Sequence, residues 1–110
     1  MAHKLFTIKK RSTFLMIRNE GKFIKGRNIN LQILYNQDLD NSIGLGFTAS
    51  KKIGNAVKRN KAKRIMRELA RKIIIKGEIN SYYVLIAKSS LLGEKFDNLL
   101  LEIKEKINDK

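Results

Sequence analysis

Eleven Lys and Arg side chains fall within residues 51–76 against one carboxylate, Glu68, so ten of the chain's fourteen net positive charges sit on under a quarter of its 110 residues. Cations of one sign at this density neutralise phosphates well, because each contact releases a condensed counterion. They are also ordered along the chain. Lys58, Arg59, Lys61, Lys63, Arg64 and Arg67 interleave with Ala56, Val57, Ala62, Ile65, Met66 and Leu69, the pattern of a helix with one packed face and one face turned to a polyanion. A solvated helix face ordinarily mixes Glu with Lys, whereas Lys63, Arg64, Arg67 and Arg71 repel one another unless phosphates relieve them. Ahead of them, Ser50-Lys51-Lys52-Ile53-Gly54-Asn55 sets two cations, a capping side chain and a glycine at the positive end of the same helix, a ready cradle for phosphate. Lys58 and Arg59, in the first turn and near the apolar arc, are expected to point along the sheet edge and are singled out as functional charges.

Metal-assisted hydrolysis of a phosphodiester by a protein requires clustered carboxylates, usually with His, to hold its ions. No such cluster is legible. Asp38 and Asp40 stand beside Asn41 and Ser42 in a turn-like run, and Glu94 and Asp97 suit the first turn of a helix. With no Cys and one His, His3, disulfides, thiolate zinc sites and Cys nucleophiles are excluded. A pI near 10.3 favours an anionic partner, and nucleic acid is the expected one. Runs such as Ile73-Ile74-Ile75 and Leu99-Leu100-Leu101 fall far short of a bilayer span, and the first eleven residues have no signal-peptide pattern. No membrane partner and a cytoplasmic location are expected.

The elements that must position these charges follow from periodicity. A length of 110 residues with 43% apolar content supports one domain, residues 1–110, with a single core and a mobile N-terminus over residues 1–8. Ser12 or Thr13 caps a first helix through Phe14, Ile17 and Arg18 that ends at Gly21. Ile29, Leu31, Ile33 and Tyr35 alternate as a strand, and so do Ile43, Leu45, Phe47 and Ala49, whose other side is Gly44, Gly46 and Thr48, a face something approaches closely. A long helix over 56–74 buries Ala62, Ile65, Met66, Leu69, Ala70 and Ile73, and Gly77 ends it. Residues 82–87 read as a strand, and Phe96, Leu99, Leu100, Ile103 and Ile107 as a last amphipathic helix. The order predicts an α+β chain, a two-layer αβ sandwich with a small mixed sheet and three main helices. General rules make a strand-helix-strand crossover right-handed.

The run from Lys51 through Gly54-Asn55, Arg59-Asn60-Lys61 and Arg64 to Glu68 closely resembles the signature of the bacterial ribonuclease P protein subunit. The looser match extends over nearly the whole chain: Lys9, Lys10 and Phe14 at the start, the strand pair, the signature, a Tyr-rich strand ending in Ala87-Lys88, and a final helix. The family's Arg-Asn-Arg core has Lys61 at its third position here, a point charge in place of a guanidinium fork. Where the family often has a second aromatic, this chain has Arg18.

The resemblance implies a left-handed crossover around the basic helix, against the general rule. It implies an endoribonuclease holoenzyme that removes the 5′ leader of precursor tRNA and leaves a 5′-phosphate, with catalysis in the RNA subunit and Mg²⁺ held mainly by that RNA. Lys51, Lys52, Asn55, Lys58, Arg59, Asn60, Lys61, Lys63, Arg64 and Arg67 would contact the catalytic RNA. Lys9, Lys10, Arg11, Phe14, Arg18 and Lys88 would form the cleft for the single-stranded leader, with Phe14 as its stacking platform. No catalytic or metal-binding side chain is implied, and no DNA partner is expected. The alternative is a ribosomal or other structural RNA-binding protein, which would carry the same charge. A helix-turn-helix DNA binder is disfavoured because strands flank the basic helix, and a protein-only nuclease for want of carboxylates.

Overall fold

The alternating apolar runs become adjacent strands because each has one face to bury. The computed structural model describes residues 3–108. In chain order its elements are β1 (Lys4–Thr7), α1 (Arg11–Glu20), β2 (Lys22–Ile24), β3 (Ile29–Leu34), β4 (Ser42–Thr48), α2 (Ala56–Lys72), β5 (Ser81–Ala87) and α3 (Phe96–Asn108). One mixed sheet has the order β1-β4-β5-β3-β2. β1, β4 and β5 run parallel, and β3 and β2 are antiparallel to their neighbours. The α+β class and the mixed sheet match the sequence expectation, with two further edge strands, β1 and β2.

Strand parity divides the side chains between the two faces. On one face Leu31, Ile43, Leu45, Tyr83 and Leu85 pack against Ala62, Met66 and Leu69 of α2 and Leu99 and Ile103 of α3. This is the expected two-layer core. On the other face Ile8, Ile17 and Val84 form a smaller cluster with Phe14, Leu34, Tyr82 and Ile86, so α1 partly covers the sheet from the opposite side.

Three local expectations are corrected. The N-terminal segment is no mobile arm over its described part: β1 pairs in parallel with β4, and buried Ile8 donates its N–H to the Leu45 carbonyl at 2.7 Å. Residues 1 and 2 lie outside the described residues. With Ile8 fixed against the sheet, the chain must turn at once, so α1 begins at Arg11 with Lys10 at its N-cap and no side-chain cap. Ser12 and Thr13 therefore lie inside its first turn. The long helix ends at Lys72, and a 3-10 turn, Ile74–Lys76, carries the chain to Gly77.

Turn chemistry joins β3 to β4 as read, with Asp40 and Asn41 at left-handed φ of 55° and 59°. Asn80 pins this turn, its Oδ1 accepting from the N–H groups of Leu39 at 3.1 Å and Asn41 at 2.9 Å. At the opposite end of the sheet, Glu102 of α3 reaches the start of β3. Its Oε2 accepts from the N–H of Asn28 at 2.8 Å and of Ile29 at 3.0 Å, and its Oε1 accepts from Asn28 Nδ2 at 2.8 Å. A carboxylate suits three convergent donors, whereas an amide turns two N–H groups of its own toward them. Glu102→Gln is therefore expected to cost about 1–2 kcal/mol, read as a lower urea midpoint at unchanged slope. An unchanged midpoint would contradict this docking role for α3.

Candidate RNA interface

The entry to α2 is built from backbone outward. Ser50 Oγ accepts from Lys52 N–H at 3.3 Å and starts a 3-10 turn, Lys51–Ile53, that exposes both lysines while Ile53 enters the core. Gly54 follows at φ 139° and ψ −152°, a conformation essentially restricted to glycine. Asn55 then caps α2, its Oδ1 accepting from Lys58 N–H at 3.0 Å. Arg59 curls back, Nη1 donating to the Gly54 carbonyl at 3.0 Å, so one guanidinium edge fastens the turn that presents Lys51 and Lys52. Half-buried Arg59 thus has a fastening role that sequence reasoning missed.

Along α2 the buried Ala62, Met66, Leu69 and Ala70 define the inner face. Asn60, Arg64 and Arg67 are exposed on the outer face, flanked by Lys58 and Lys61 on one side and by Arg59 and half-buried Lys63 on the other. Arg67 stands 5.9 Å over the Phe47 ring, a cation–π contact that holds its long side chain against β4. Glu68 pairs with Arg71 at 2.8 Å, both side chains about half or more exposed. The run's one carboxylate is therefore turned to Arg71 at the C-terminal end of the helix, and the rest of the outer face keeps its positive charge.

The glycine face of β4 is approached by this chain's own aromatics. A Cβ at Gly46 would lie 2.5 Å from Phe14 Cε1, and one at Gly44 would lie 2.5 Å from Tyr82 Cδ1 and 2.9 Å from Phe6 Cζ. Phe6 and Tyr82 meet edge to face, with ring centres 6.3 Å apart. Beside this aromatic row a cleft of about 330 Å³ opens between α1 and the sheet. Arg11, Phe14, Leu15 and Arg18 line it from the helix, and Gln32, Thr48, Val84 and Ile86 from the strands. Arg11, Phe14 and Arg18 were expected there. Gln32, Thr48 and the Phe6–Tyr82 pair were missed, although the alternation of Gly44 and Gly46 signalled the close approach.

Lys9 and Lys10 are exposed just before α1. Lys88 does not line the cleft: it is half-buried and its Nζ donates to the Gly26 carbonyl at 3.2 Å. It shares a different feature with the other lysines. Because β1, β4 and β5 are parallel, their carboxyl ends lie at one end of the sheet. Lys9-Lys10, Lys51-Lys52 and Lys88 follow those three ends.

A mixed sheet with one strongly cationic helix on one face and an aromatic cleft rimmed by Arg on the other defines a small α+β protein built to hold nucleic acid. The sequence model of the family Ribonuclease P matches residues 2–109. The chain belongs to that family, the protein subunit of a tRNA-processing endoribonuclease that also contains RNA. Among its relatives, the ribonuclease P protein component of Gluconacetobacter diazotrophicus is 33% identical over 105 residues, 94% of this chain and 90% of that one. The Staphylococcus aureus RNase P protein structure superposes with a TM-score of 0.80 at 26% identity, covering 94% of both chains. The Thermotoga maritima RNase P protein shares the fold, with a TM-score of 0.81 at 21% identity over 96% of this chain and 97% of that one.

Proposed function

We propose that the two surfaces divide the RNA between them: the outer face of α2 and the turn before it dock the catalytic RNA, and the cleft under α1 holds the 5′ leader of precursor tRNA. One observation carries this reading. β4 lines the cleft at Thr48, carries Phe14 over Gly46 and runs, two residues past its end, into the turn at Lys51, so the two surfaces meet at the carboxyl end of one strand. Open sheets with parallel strands tend to bind ligands outside those ends, an argument by analogy. A leader leaving the cleavage point would enter the cleft beside Thr48, pass Phe14 and be tracked by Arg11 and Arg18, with Lys9 and Lys10 near its path. Mature tRNA has no leader, so the cleft would discriminate substrate from product.

The side chains on these surfaces bind and orient; they do not cut. Among the described residues no group of three or more His, Cys, Asp or Glu side chains converges, and these residues do not fit a protein-held metal centre. Mg²⁺ is assigned to the RNA partner, whose crowded phosphates the cations of α2 would relieve. No described helix is long and apolar enough to cross a membrane, and the proposed place of work is the cytoplasm, with precursor tRNA.

The test is single-turnover cleavage of a 5′-labelled precursor tRNA by a bacterial ribonuclease P RNA at low Mg²⁺, with the protein, without it, and with the protein alone. Release of the intact leader that needs both components, with none from the protein alone, is expected. Tight binding to folded RNAs without stimulation would favour a structural RNA-binding role. Arg59→Ala is expected to weaken assembly with the catalytic RNA and to lower the salt slope of binding by about one unit. A weakened assembly at unchanged slope would assign Arg59 to the turn alone.

A further inference from the structure

Phe23 is unusual in this chain: a large aromatic, 55% exposed, on the three-residue edge strand β2 and in neither apolar cluster. Its position follows from register. Phe23 lies opposite Gln32, and Gln32 opposite Val84, and Val84 lies opposite Gly46, over which Phe14 sits. Directly opposed residues share a face of the sheet, and Gln32 and Val84 both line the cleft. The neighbour of Phe23, Ile24, lies opposite Leu31 and packs on the other face. Phe23 therefore prolongs the cleft floor outward, two strand spacings or about 10 Å beyond Val84. Lys22 and Lys25 flank it in sequence, both exposed.

We infer that Phe23 is a second base-stacking platform, on which single-stranded RNA leaving Phe14 is carried across Gln32 to the open edge of the sheet. The inference rests on the leader reading above and extends it to nucleotides farther from the cleavage point, because the order from the α2 turn outward is Thr48, Phe14, Gln32, Phe23. From Gly46, beneath the Phe14 ring, the span to Phe23 is three strand spacings, about 14 Å or about four stacked nucleotides at 3.4 Å each, so the second platform serves bases about four positions beyond those at Phe14. The amide of Gln32, between two aromatic surfaces, can both donate to and accept from a base edge. An exposed aromatic on an edge strand is otherwise a liability for edge-to-edge pairing.

The experiment measures affinity of the reconstituted holoenzyme for precursor tRNAs whose leaders are lengthened one nucleotide at a time, for the unaltered protein, Phe23→Ala and Phe23→Tyr. Phe23→Ala is expected to bind long leaders about ten-fold more weakly, with short leaders and mature tRNA unaffected, and Phe23→Tyr is expected to restore the long-leader affinity. Equal affinities of Phe23→Ala and the unaltered protein at every length, in a holoenzyme that still prefers longer leaders, overturn the second platform alone. A uniform loss across lengths and for mature tRNA assigns Phe23 to folding and overturns it as well. No dependence on the leader in the unaltered protein overturns the cleft reading itself, and the inference with it.

Discussion

Phe14→Ala is expected to lower affinity for leader-bearing precursor tRNA by about ten- to a hundred-fold, while affinity for mature tRNA and for the catalytic RNA is unchanged. The magnitude is that of a lost stacking platform, about 1–3 kcal/mol per base. Phe14 is half-buried, at the cleft wall with its ring over Gly46, so truncation also removes packing against the small cluster of Ile8, Ile17 and Val84. Phe14→Leu separates the two effects, because it keeps most of the apolar volume and lacks the flat π face. The leader reading requires both variants to lose precursor affinity, with Leu recovering the urea midpoint better than the binding. Equal losses for precursor and mature tRNA would remove the leader from the cleft.

Gly54→Val is expected to be the most damaging single change at the other surface. A side chain at φ 139° and ψ −152° is strained wherever its neighbours stand, and here a Cβ would also meet Lys58 Cδ at 2.7 Å. Strain of this kind is of order 1–3 kcal/mol per residue, and a β-branched side chain lies at the upper end. Relief requires the turn to move, and the turn holds three things at once: the two exposed lysines, the Asn55 cap, and the carbonyl that Arg59 grips. Two readouts are expected to fall together, the urea midpoint by the equivalent of about 2–3 kcal/mol and the assembly affinity for catalytic RNA by more than Arg59→Ala causes. Assembly that survives a lowered midpoint would show that the RNA does not need this turn geometry.

How far the sequence revealed the molecule depends on how local each feature is. The six apolar positions of the long helix were legible because a period of 3.6 repeats over about three turns; four are fully buried, and Ile65 and Ile73 pack at the rim. β3, β4 and β5 were legible from alternation or from an apolar run. β1 and β2 were not, since they are short edge strands with mostly exposed side chains and neither carries a buried alternation. The cationic face of the long helix was legible from charge and spacing, and its assignment to RNA came from the family resemblance; the grip of Arg59 on Gly54 was not legible, because the periodicity of a helix does not report where a long side chain folds back. Gln32 reaches the cleft only through cross-strand register, which spans more than fifty residues between β3 and β5. Lys88, expected in the cleft, does not line it and donates to the Gly26 carbonyl, a partner supplied by a distant loop.

The sheet order has a consequence for synthesis on the ribosome. β5 is the last strand to be made, yet it lies at the centre, bonded to β4 on one side and β3 on the other. Until residues 81–87 emerge, the nascent chain can form only two separate pairs, β1 with β4 and β2 with β3, with no edge in common. Closure by such long-range pairing is slow compared with helix formation. α2 is complete in sequence before β5 exists, and its apolar face then has only part of a sheet to rest on. A polycation is thus displayed in a translating cell, rich in RNA, before its own domain has closed. Folding and first encounter with RNA then overlap in time.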